Sequence, residues 1–216
     1  MIKRKDILER ETCPVEVFIR TKDNPLGLNA LLWSLFPQKP APELLTILNT
    51  GEMISQESVL YALSLFKEFR VINVPNERYL DKDNHFNHSL QFIDIVNFFD
   101  RELIWFFDDD CIIPSNAMQS LLKKIPSMPT FLVDYEPLEF EEIDDVVIHG
   151  LLAEKKDWKK AIERLKEKNY PKMGEDAVIN KIIKPLICKD IILAHTRRHG
   201  SFHDCVYYEL HNQLWK

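Results

Sequence analysis

The chain has 216 residues, 45% hydrophobic and 29% charged, with a formal net charge of −6. That length suits one globular domain over residues 1–216, and the composition excludes a disordered or membrane-embedded chain. No apolar run approaches the roughly 18 residues that cross a bilayer, and the acidic balance disfavours nucleic acid as a main partner.

The opening, "MIKRKDILERET", is charged throughout and lacks the apolar centre of a signal peptide, so a reduced, cytoplasmic protein is the expectation. "VEVFIR" (15–20) is expected as a buried strand, and "PLGLNALLWSLF" (25–36) as a helix with Leu28, Leu31, Leu32 and Leu35 on one face. "ELLTILNT" (43–50) follows as a second strand. "SQESVLYALSLFKEF" (55–69) reads as a helix with Ser55 as its cap, and "RVINV" (70–74) as a third strand. A helix over 89–99 leads to a fourth strand, "LIWFF" (103–107). Beyond it the pattern predicts a helix capped by Ser115, strands at 129–135 and 144–149, helices at 153–168 and 174–186, and a last strand at 190–195. Strands alternating with helices define an α/β fold with a mostly parallel sheet. Continuously apolar strands imply helices on both faces of it.

The fourth strand runs into Asp108, Asp109 and Asp110, and "CIIP" follows. Adjacent carboxylates repel, and burying one without a partner is costly. Either the triplet is a solvated loop with an aspartate capping the next helix, or a divalent cation neutralises it. Ligands of parallel α/β sheets bind beyond the carboxyl ends of strands, where the triplet lies. A hard cation such as Mn2+ or Mg2+ takes oxygen ligands and bridges to phosphates.

Other chemistries lack their residues. The five glycines, Gly27, Gly51, Gly150, Gly174 and Gly200, never come two apart, so neither the dinucleotide fingerprint nor the P-loop is present. Cys13, Cys111, Cys188 and Cys205 show no C-x-x-C spacing, which argues against a zinc ribbon or a disulfide framework. "DYEPLEFEEIDD" (134–145) holds seven acids and no base, an exposed acidic face. Glu175 and Asp176 open a helix at its positive end. Arg197 and Arg198 suit phosphate oxygens. His195, His199 and His203 stand four apart, but Gly200 interrupts any helix that would align them; His195, directly after a strand, is the preferred ligand.

Taken in order, "VFIRTKDNPLGLNALLWSLFPQ", "LIWFFDDDCIIP", "MGEDAVI" and "HTRRHGSFHD" resemble the first strand and loop, the DxD element, the later acidic motif and the metal-binding histidine of GT-A type glycosyltransferases, close in pattern to family 2. The resemblance covers about residues 15 to 203. It implies a single Rossmann-like GT-A domain that transfers a sugar from a UDP- or GDP-linked donor to an acceptor hydroxyl, with inversion and with Mn2+ or Mg2+. It makes Asp110 and His195 the metal ligands and Asp176 the catalytic base, with Glu175 orienting the acceptor. Asp108 and Asp109 would contact ribose or metal, Thr21 and Lys22 the nucleobase, and Arg197 and Arg198 the diphosphate. The chain departs from the family pattern after the second strand, where "NTGE" stands in place of an aspartate and leaves Asn49 or Glu52 to contact the base. A haloacid-dehalogenase-like phosphohydrolase and an inactive nucleotide-sugar-binding domain are the alternatives.

Overall fold

Strand β1, Thr12–Thr21, sends Val15, Val17 and Ile19 into one apolar cluster and Phe18 into another. Successive side chains of a strand point to opposite faces, so apolar residues at both parities demand cover on both sides. The computed structural model describes residues 9–52, 54–123, 130–134, 148, 150–168 and 175–195. After β1 come α1 (Pro25–Leu35), β2 (Ala41–Asn49), α2 (Gln56–Leu65) and β3 (Glu68–Asn73). A 3-10 turn (Asn76–Tyr79) precedes α3 (His88–Ile95), and another (Val96–Phe98) follows it. Then come β4 (Leu103–Asp108), β5 (Cys111–Ile112), α4 (Ala117–Leu122), β6 (Thr130–Asp134) and β7 (Leu151–Glu154). Helices α5 (Lys155–Lys168) and α6 (Glu175–Ile183) and strand β8 (Leu186–His195) complete the described chain.

The strands lie in the order β3-β2-β1-β4-β7-β6-β8-β5. Strands β1 to β4 are mutually parallel, and β7 runs against β4. The order 3-2-1-4 reverses between β1 and β4, which opens a crevice at their carboxyl ends. Leu28, Leu31, Leu32 and Leu35 of α1, with Met118 and Leu121 of α4, cover Val15, Val17, Ile19, Trp105 and Phe107. On the other face Phe92 and Ile95 of α3, Trp158, Ile162 and Leu165 of α5, and Ile179 of α6 cover Phe18, Ile104 and Phe106. This α/β sheet with helices on both faces is the expected architecture.

Several boundaries differ from the sequence pattern. Helix α2 stops at Leu65 because Phe66 is extended (φ −116°, ψ 147°), which lets β3 begin at Glu68. The helix expected over 115–125 starts at Ala117; Asn116, not Ser115, stands at the cap position, and its side chain makes no cap bond. Residues Leu151–Glu154 pair with Leu103–Phe106, so the helix expected from 153 begins at Lys155. Helix α6 ends at Ile183 because Lys184 is left-handed (φ 51°) and precedes Pro185, which disfavours continued helix. Of the strand expected over 144–149, only residue 148 is described.

Strand β1 carries two charges inside its apolar run. Glu16 is wholly buried and fully bonded. Its Oε1 accepts from Thr46 Oγ1 (2.6 Å) and Arg70 Nη2 (2.9 Å), and its Oε2 from the backbone N–H of Asp100 (2.6 Å) and Arg101 (3.0 Å). Arg70 also donates to the carbonyl of Phe98. Gly150 precedes β7 in the left-handed region (φ 77°), where a side chain would be strained, and its carbonyl accepts from Trp105 Nε1 (3.1 Å).

Candidate functional site

The ends of β1 and β4 lie side by side, with Arg20 paired to Asp108 across the parallel ladder. Both share the face of Phe18 and Phe106. Arg20 Nε and Nη2 each donate to Asp108 at 2.6 Å, one to each oxygen. Its Nη1 donates to Gln91 Oε1 (3.1 Å), and its guanidinium lies over the rings of Phe92 (4.7 Å) and Phe106 (5.6 Å). Burial pulls this guanidinium down. Asp108, by charge and hydrogen bonds, and then Asp176 and Glu175 hold it above its usual value. The α6 acids thus act on the same cation as Asp108, although 66 residues separate Asp110 from Asp176. Helix α6 is brought there by packing against α3 and α5.

Asp109 turns to the opposite face and is buried. It accepts from Thr21 Oγ1 (2.6 Å), the backbone N–H of Lys22 (3.2 Å) and Asn24 Nδ2 (3.0 Å), so it holds the loop between β1 and α1. Asn24 in turn caps α1 by accepting from Gly27 N–H (3.2 Å). Gly27 admits this approach: a Cβ there would stand 2.4 Å from the Asp109 carbonyl and 2.1 Å from Asn24 Nδ2. Asp110 is also buried, and the next residue, Cys111, pairs with His195 of β8. The triplet is therefore no solvated cap. Gln38, at the end of the α1 turn, donates to the carbonyls of Ser34 and Pro114 and accepts from Met118 N–H, which fixes the chain just beyond the triplet.

A pocket of about 220 Å³ opens between the ends of β1 and β2 and the starts of α1 and α2. Thr21, Asn24, Asn49, Glu52 and Ser55 contribute to its wall. Asn49 shapes one rim by donating to Glu52 O (2.6 Å) and Asn73 Oδ1 (3.0 Å). Lys22 Nζ lies 5.2 Å from the centre of the Phe86 ring, which in turn meets the ring of His88 at 4.9 Å. His88 Nδ1 is 3.5 Å from Arg20 Nη1. Burial and then Arg20 lower the His88 pKa, against the opposite pull of Glu175 and Asp108. Glu175 has one oxygen, Oε2, that is buried without a hydrogen-bond partner among the described residues.

The structure thus gathers Thr21, Lys22, Asn49, Asp108, Asp109, Asp110, Glu175 and Asp176 at one end of the sheet, with the backbone of His195 beside Cys111. Arg197, Arg198, His199 and His203 lie outside the described residues. Sequence reasoning missed Arg20, Asn24 and Gln91. A charge at the end of an apolar strand was the signal for Arg20, since such a charge must find a partner. Among the described residues, one trio of metal-ligand types lies close together: Asp81, Asp83 and His85. It is a surface turn in which Asp81 Oδ1 accepts the backbone N–H of Asp83 and of His85, both at 2.9 Å.

The fold is shared with solved glycosyltransferases. S. aureus TarS 1–349 in complex with UDP-GlcNAc superposes with a TM-score of 0.61 at 14% identity, over 87% of this chain and 60% of that one. The galactosyltransferase LgtC, with donor and acceptor sugar analogues, gives 0.58 at 12% identity, over 93% of this chain and 96% of that one. GlyE of Streptococcus pneumoniae TIGR4 gives 0.52 at 15% identity, over 81% and 45%. The chain spans 36% of one TarS structure and 60% of its 1–349 fragment. No family model and no curated protein matches the sequence. The architecture is that of the GT-A type nucleotide-sugar transferases. Among the described residues no helix is long and apolar enough to cross a membrane.

Proposed function

We propose that this chain is a glycosyltransferase that moves a sugar from a UDP- or GDP-linked donor to an acceptor hydroxyl, with inversion and with Mn2+ or Mg2+. One observation carries the reading: Asp108, at the head of the aspartate triplet, grips Arg20 at the carboxyl end of the β1/β4 crevice, where the charges of Glu175 and Asp176 act on the same guanidinium. The TarS structure with UDP-GlcNAc and the LgtC structure with sugar analogues, on the same fold, support it.

On this reading the pocket walled by Thr21, Asn49 and Glu52 takes the nucleobase, with Lys22 at its edge. Asp110 and His195 would hold a hard cation: a carboxylate and an imidazole suit Mn2+ or Mg2+, and Cys111, the residue after Asp110, pairs with the backbone of His195. When bound, the cation offsets charge on the diphosphate. Asp108 and Asp109 serve the donor through the parts they hold, Arg20 and the Thr21–Asn24 loop. Asp176 takes the proton of the acceptor hydroxyl as its oxygen attacks the anomeric carbon, and Glu175 orients that hydroxyl. Arg197 and Arg198 hold the departing diphosphate.

Thermal unfolding with UDP, GDP and their sugars, each with and without Mn2+, tests this. The expected result is a metal-dependent rise in melting temperature with one nucleotide series, and release of that nucleotide from its sugar. Stabilisation by beryllofluoride and Mg2+ alone would replace the reading with a phosphohydrolase. Binding with no turnover, even to water, would make the domain a nucleotide-sugar-binding module.

A further inference from the structure

Arg20 stands at the same strand ends as the aspartate triplet, and the resemblance gives it no role. Its parity on β1 places it above Phe92 and Phe106, the same apolar surface on which α6 packs through Val178 and Ile179. The two rings lie against the guanidinium, and its N–H groups donate elsewhere. Two edge donors go to Asp108 and another to Gln91 of α3. β4 and α3 therefore bond to one side chain, while α6 packs on the apolar surface beneath it and its two acids act on the same charge.

We propose that Arg20 is a positioning residue that fixes the aspartate triplet and the Glu175–Asp176 pair relative to each other. The proposal rests on the transferase reading for its consequence, since donor and acceptor groups would then be aligned by one guanidinium. A lysine could match the charge but not the role: it lacks the fork that grips both Asp108 oxygens and reaches Gln91 at once, and it stacks poorly on rings. Asp108 held in two bonds cannot swing, so the start of the turn that carries Asp109 and Asp110 is fixed. The same cation draws in the carboxylates at the start of α6, which five clustered acids would otherwise push apart.

His88 reports on this cluster without any catalysis. Its ring faces Arg20 of β1, Lys22 of the following loop, Asp108 of β4, Glu175 of α6 and the Phe86 ring. The experiment is an NMR titration of the His88 ring in the wild type, Arg20→Lys, Arg20→Met and Glu175→Gln. Nucleotide release from the best donor and thermal unfolding are measured on the same samples. Loss of the Arg20 charge should raise the His88 midpoint in Arg20→Met, and loss of the Glu175 charge should lower it, each by about 0.5 unit, as expected for one charge at close range in a watery site. Arg20→Lys should keep the midpoint near wild type but lower turnover by about 10-fold or more, the scale of a lost positioning contact. A His88 midpoint unmoved in Glu175→Gln would overturn the cluster. Wild-type turnover in Arg20→Lys would overturn the positioning role. If Arg20→Met does not fold, Glu175→Gln and Arg20→Lys still decide. If the wild type binds no nucleotide sugar, the transferase reading falls, and the titration alone decides whether Arg20 joins the two motifs.

Discussion

Arg20 grips Asp108 through two N–H···O contacts of 2.6 Å, from the end of one parallel strand to the end of its neighbour. The pair divides the triplet's work. Asp108 is bound to a cation, Asp109 to the loop after β1, and Asp110 lies where β5 meets β8. Substitutions along the triplet should accordingly fail in different ways.

The ion is tested at Asp110 and His195. Asp110→Asn is expected to abolish Mn2+-dependent binding of UDP or GDP while the cooperative unfolding transition remains. His195→Ala is expected to weaken nucleotide binding only when metal is present. Titration calorimetry with and without Mn2+ measures both, and equal losses without metal would assign these residues to the fold.

Chemistry is separated from binding at α6. Asp176→Asn retains the shape of the side chain but cannot take a proton, so donor affinity should stay near wild type. Turnover should fall by roughly 100-fold or more, the usual scale of a lost general base. Glu175→Gln should cost less. Donor affinity and single-turnover transfer on the same samples give the answer, and retained transfer in both variants would remove the pair from the mechanism.

Glu16 should matter to stability alone. It lies four residues before Arg20 on the same face, roughly 13 Å along the strand. Glu16→Ala strands Arg70, Thr46 and two backbone N–H groups, and should destabilise by about 3 kcal/mol, as for removal of one partner of a buried ion pair. Chemical denaturation measures the loss. An unchanged midpoint would mean that the network contributes nothing net.

Acid should act through His88. Its folded-state pKa is lowered from 6.5, by burial first and by Arg20 next. The unfolded chain therefore takes up this proton before the folded one does. The stability tied to the neutral ring is complete above pH 6.5 and is lost as pH falls below that value towards the folded pKa. Wild type should lose stability relative to His88→Asn between pH 7.5 and pH 5. Denaturation midpoints of the two proteins that shift in parallel would exclude the effect.

The fold was legible because its strands are apolar at both parities and its helices are not. The same pattern misplaced Ser115 and the start of α5. A cap depends on local backbone angles, and Ala153 and Glu154 join β7 only because β4 offers an edge. In the site, residue types and order pointed to the triplet and to Glu175–Asp176. Which neighbour each aspartate meets could not be read, because that depends on which strands lie side by side. Glu16 and Arg20 stood in plain view inside "VEVFIR", but their partners Arg70 and Asp108 are 54 and 88 residues away.

The alternation along β1 also determines where this strand can sit. Its apolar residues occur at both parities, so hydrophobicity alone would accept the strand shifted by one residue. Such a shift exchanges the faces of every side chain. Glu16 and Arg20 would then point at Leu28, Leu31 and Leu32 of α1, without Arg70 or Asp108 to meet them. Two charges on one face, one at the middle of the strand and one at its end, therefore act as pins that reject the slipped alignment. The pin at Arg20 and the residue that closes on Asp109, Thr21, are neighbours in the chain, so alignment of the central strand and assembly of the crevice are a single event.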